Sequence, residues 1–135
     1  MRTTVSSALA CAILLAGPAA ARDRFVGEWS GDCGGAVQCW VSVAGDAGAY
    51  KVDFIVADRM NAQDVKCRVS GRFSRGPVRY GPHETFDDAL MGTLNGSHFY
   101  VAPLTGGSII VGGGLTAGLA CGEHVMQQVY YPIGD

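Results

Sequence analysis

Apolar and polar residues alternate with a period of two along most of this 135-residue chain, which commits it to β-structure with one buried face. From Val65 to Ser74 the pattern is cleanest. Val65, Cys67, Val69, Gly71 and Phe73 fall on one face, and Lys66, Arg68, Ser70, Arg72 and Ser74 on the other. Tyr50, Val52, Phe54 and Val56 share a face opposite Lys51 and Asp53, and Val37, Cys39, Val41 and Val43 make a similar row. A further inward row is read at Val125, Val129, Tyr131 and Ile133. No stretch of residues 22–135 keeps a helical period. The expected core therefore includes Val52, Phe54, Val56, Val65, Val69 and Phe73, with Trp29 packing one end.

Turn chemistry separates these runs. Gly45-Asp46-Ala47-Gly48 and residues 58–64 divide neighbouring strands. Asn95-Gly96, between Leu90 to Leu94 and His98 to Val101, supplies the two positive φ angles of a type I′ hairpin. Gly112-Gly113-Gly114 reads as a flexible loop ending a strand at Ser108 to Val111. About eight short strands without crossover helices predict an all-β fold, a single small antiparallel barrel whose closure removes exposed strand edges. The segment Phe25-Val26-Gly27-Glu28-Trp29 resembles the G-x-W start of lipocalin-like barrels, where the Trp plugs one end.

Residues 1–21 read as a cleaved signal peptide. Arg2 is a short basic region, Val5 to Ala16 an apolar run, and Ala19-Ala20-Ala21 a small-residue cleavage site. The apolar run is too short for a spanning helix, so stable membrane insertion is not expected. Residues 22–135 then form one domain in the periplasm or outside the cell. Cys33, Cys39, Cys67 and Cys121 remain in it, and four cysteines in a small exported domain imply two disulfides. Sequence leaves three connectivities open; Cys33–Cys39 with Cys67–Cys121 is favoured because the glycine-rich loop 33–39 closes easily. With no CxxC pair, a zinc site is not expected.

Residues 22–135 carry 9 basic and 12 acidic side chains, which disfavours nucleic acid and suits a cationic protein partner. His83-Glu84, His98 and Glu123-His124 could build a small metal-dependent enzyme only if folding gathered them, since strand neighbours point to opposite faces. Asp87-Asp88 has no partner motif, and neither a nucleophile elbow nor a phosphate-binding loop is present. No catalytic residue, metal or cofactor is therefore assigned. The outward faces point to binding: Trp40, Arg68 and Arg72 lie out of phase with the inward rows, as do Tyr100 and Tyr130. Trp, Tyr and Arg dominate protein-interface hot spots.

A small exported barrel with two disulfides resembles two groups of bacterial envelope inhibitors. Ser70-Gly71-Arg72-Phe73 resembles the Ser-Gly-x-x-Tyr loop of the periplasmic inhibitors of C-type lysozyme, with Phe73 as the nearby aromatic. That resemblance implies a serine, Ser70, entering the lysozyme cleft; Ser70, Arg72 and Tyr80 are the donors expected to meet the enzyme's carboxylates, and the outward Trp40 completes the expected binding residues. The periplasmic inhibitors of secreted metalloproteases also begin near a G-x-W and use a free N-terminal segment; Arg22-Asp23-Arg24 would be a very short arm of that kind. A barrel holding a small apolar ligand is the other alternative, although so short a chain is expected to fill its interior with its own side chains.

Overall fold

The computed structural model describes residues 23–46, 48–113 and 128–134. Eight strands follow one another in sequence order and close into an antiparallel barrel: β1 (Gly27–Gly31), β2 (Val37–Asp46), β3 (Ala49–Asp58), β4 (Val65–Tyr80), β5 (Glu84–Leu94), β6 (Ser97–Pro103), β7 (Ile109–Gly113) and β8 (Gln128–Pro132). β8 returns to β1 through Trp29 opposite Pro132 and Ser30 opposite Tyr131. The β5–β6 turn has positive φ at both Asn95 (50°) and Gly96 (80°), as its type requires.

Period two decides the interior as expected over β2, β3 and most of β4. Val41, Val43, Tyr50, Val52, Phe54, Val56 and Phe73 are buried in one core cluster, with Val69 and Cys67 packed against it. Leu90, Leu94, Phe99, Val101, Ile109 and Val111 complete the lining from the opposite wall. Cys33 and Cys39 form a disulfide with a Cα–Cα separation of 5.9 Å, closing the glycine-rich loop. Cys121, the expected partner of Cys67, lies outside the described residues, as do the expected signal peptide 1–21, Arg22, His124 and Val125.

Four expectations, two of them about facing, are corrected. Val65 is 45% exposed, not part of the core. The β3–β4 register slips between Val56 opposite Cys67 and Ala57 opposite Val65, and this bulge moves Val65 off the inner row. On β8 the phase is reversed: Tyr130 is fully buried, whereas Tyr131 and Ile133 are exposed. Tyr130 stands directly opposite the inward Ile109, and Gly31 gives its ring space, since a Cβ there would come within 2.5 Å of it. Gly112 and Gly113 belong to β7 rather than to a loop. The Tyr100 ring lies over Gly112, where a Cβ would meet its Cζ at 2.2 Å. Tyr100 faces outward but is buried, because Val78, Tyr80 and Phe86 of the long β4–β5 hairpin pack against it.

That hairpin makes a second apolar cluster outside the wall. Val78, Ala89, Tyr100 and Ala102 are its buried members, and Tyr80, Phe86, Met91 and Ile110 pack against them. Tyr80 and Phe86 set their rings 5.6 and 5.3 Å from that of Tyr100. A register slip between Gly76 and Val78 turns the hairpin. Burial, with Glu84 nearby, pushes the Tyr100 phenol up to about 12.

One barrel end is plugged by the segment preceding β1. Phe25 is fully buried and meets Tyr50 edge-on at 6.2 Å, and its carbonyl accepts the Trp29 indole N–H at 3.1 Å. The Arg24 and Arg75 guanidinium groups lie 5.4 and 5.0 Å from the Phe25 ring centroid. Arg75 grips Asp88 with two donors at 2.8 and 2.7 Å, Arg24 donates to the same carboxylate, and the Tyr50 hydroxyl donates to Asp23. The short basic arm expected at the N-terminus is thus tied down at Asp23 and Arg24.

Both carboxyls sit below the ordinary aspartate value. For Asp88 the Arg75 hydrogen bonds are the main cause. For Asp23, burial opposes ionisation, but Tyr50, the Phe25 N–H and Arg75 together outweigh it. A depressed folded pKa adds stability above the unfolded value, 3.8 here, and that stability drains away as pH falls below it. Asp88→Asn should therefore cost about 1–2 kcal/mol at pH 7, the lower part of the range for hydrogen bonds to charged groups because the pair is partly exposed, and much less at about pH 2. Urea unfolding at the two pH values checks this; an equal loss at both would refute the charge-based account.

Candidate functional site

The outer wall of β2–β4 carries the candidate site. Register alone stacks its polar side chains in rows. Glu28, Ser42, Asp53 and Ser70 are successive cross-strand partners from β1 to β4, and Ala44, Lys51 and Arg72 form the next row. Ser42 donates to Glu28 at 2.7 Å, and Ser70 donates to Asp53. Asp53 is the buried charged residue among those described, and Ser70 together with Lys51, 4.0 Å away, compensates it.

Beside these rows the β2–β3 hairpin and β4 border an open cleft of about 630 Å³. Ala44, Gly45 and Ala49 form one wall, Tyr50 and Lys51 the floor, and Ser70, Gly71 and Arg72 the other wall. Small residues on the hairpin leave the space open. Lys51 and Arg72 are both exposed and directly opposite each other. Among the described residues Arg72 has no ion-pair or hydrogen-bond partner. The arrangement can receive an anionic group.

Two of the four expected binding residues, Ser70 and Arg72, come together here. Ser70 lies in a strand and spends its hydroxyl proton on Asp53, so it shapes the wall rather than offering a free donor. Tyr80 is not in the cleft: it sits on the β4–β5 hairpin against Tyr100. Trp40 faces outward from β2 as expected, half-buried between Ser30 and Ile55, and does not line the cleft either. Lys51 was legible only as an outward polar residue, because its pairing with Arg72 depends on long-range register. Among the described residues no three His, Cys, Asp or Glu side chains converge as a metal site; His83 is at the hairpin tip and His98 on β6. No described helix is long and apolar enough to cross a membrane. Comparison of the chain with protein-family models, with curated proteins and with solved structures finds no match to any of them.

Proposed function

We propose that this barrel acts outside the cytoplasm by binding a protein, and that the protein is a C-type lysozyme. The observation that carries the reading is the cleft in which the Ser70-Gly71-Arg72 segment, the stretch that resembles the lysozyme inhibitors, stands beside an exposed Lys51–Arg72 pair. Lysozyme works with two carboxylates in a groove, and cations paired across two neighbouring strands, Lys51 on β3 and Arg72 on β4, can engage them. The excess of acidic residues in 22–135 favours encounter with a cationic enzyme. The Cys33–Cys39 disulfide accords with an oxidising compartment, periplasmic or extracellular. Apolar side chains fill the barrel, which favours a partner on the outer wall over a ligand within.

The test is turbidity clearing of bacterial cell walls by C-type lysozyme with the purified protein added. Inhibition is expected, and Arg72→Ala should weaken it on the order of 30-fold, as for a hot spot worth about 2 kcal/mol. Tyr80→Ala should leave inhibition unchanged at equal folded concentration. Absence of inhibition at large molar excess would sink the lysozyme reading.

A further inference from the structure

We infer that the cleft between the β2–β3 hairpin and β4 is a binding site for a phosphate monoester, with Lys51 and Arg72 as its anion-binding groups. The inference concerns the same cleft as the reading above and stands whether or not the protein partner is a lysozyme. Like charges placed directly opposite on neighbouring strands repel, so the Lys51–Arg72 pair is unfavourable unless something neutralises it. Intramolecular compensation is meagre. Asp53 stands 4.0 Å from Lys51 and is already bonded by Ser70, and no described group pairs with Arg72. Two exposed cations facing one open space match a doubly charged anion better than a single carboxylate. The planar guanidinium also offers the fork geometry that phosphate oxygens accept. A lone phosphate would not fill about 630 Å³. The remaining space, walled by Ala44, Gly45 and Ala49, suits an organic group of modest size carried by the ester.

The experiment is calorimetric titration of the exported form, residues 22–135, with glucose 1-phosphate, inorganic phosphate and acetate at one ionic strength, since screening otherwise mimics specificity. Saturable binding of glucose 1-phosphate is expected, at least tenfold tighter than acetate. Arg72→Gln and Lys51→Gln should each weaken it tenfold or more. Both side chains are exposed, so these variants should fold, and unchanged circular dichroism would verify it. Arg79→Gln, also exposed on β4 but outside the cleft, should bind like the parent. Equal affinity for acetate, no phosphate binding, or binding unaffected by both cleft variants would overturn the site. Sedimentation with phosphatidic acid vesicles, against phosphatidylcholine controls, separates the sources. Capture that Arg72→Gln abolishes supports a lipid headgroup as the monoester, and binding of the soluble sugar phosphate without capture supports a soluble one. An Arg72→Gln protein that loses phosphate yet still inhibits lysozyme would support the anion site while removing the cleft from the inhibitory surface.

Discussion

Replacing Phe25 with alanine should destabilise the barrel by about 3–5 kcal/mol, the usual range for emptying a buried phenylalanine site, and lower its melting temperature by roughly 15 °C. Phe25 precedes β1 and belongs to no strand, yet it is fully buried and joins the main core cluster. Its removal would open a void against Tyr50, deprive Arg24 and Arg75 of the ring they cover, and loosen the backbone that holds the Trp29 indole. The cavity could not collapse easily, because the Arg75–Asp88 grip holds the surrounding wall in place. Thermal and denaturant unfolding followed by circular dichroism measure the effect. A loss below about 1 kcal/mol would mean that the segment is not a true plug.

A comparable loss, about 3 kcal/mol or more, is expected for Gly71→Ala, at the upper end of what overpacking costs. The added methyl would sit 2.0 Å from the Thr93 carbonyl oxygen and 3.0 Å from a Leu94 methyl. Backbone is the obstacle, so side-chain rotation cannot relieve it, and β4 and β5 would have to separate. Gly76→Ala is the matched control. A Cβ there meets nothing within 4 Å, so its effect should stay within about 1 kcal/mol. Equal stability of the two variants would show that close approach of strands does not hold this register. Since Gly71 lies between Ser70 and Arg72, its substitution should also impair the cleft, and binding must be compared per folded molecule.

Sequence determined the kind of protein this is. Period two and the absence of helical patterning imposed strands, and Asn95-Gly96 specified its hairpin by the φ angles those residues tolerate. The Cys33 to Cys39 loop was short enough to predict its own disulfide. Facing was legible wherever a charged residue punctuates the apolar row, as at Lys51 and Asp53 in β3 or Arg68 and Arg72 in β4. It failed where punctuation is lacking. In Val129-Tyr130-Tyr131-Pro132-Ile133 either phase looks apolar, and only the pairing of Tyr130 with Ile109, and the room left by Gly31, selected the inward ring. Val65 was lost from the core to a bulge, which inserts one residue and so reverses parity without any sign in composition. Tertiary structure alone decided the plug by Phe25, the burial of Tyr100 under the β4–β5 hairpin, and the meeting of Lys51 with Arg72. Alternation is a local property, carried by the two faces of a strand. Closure, register and coverage join residues distant in the chain, and their energies exist only once the strands have met.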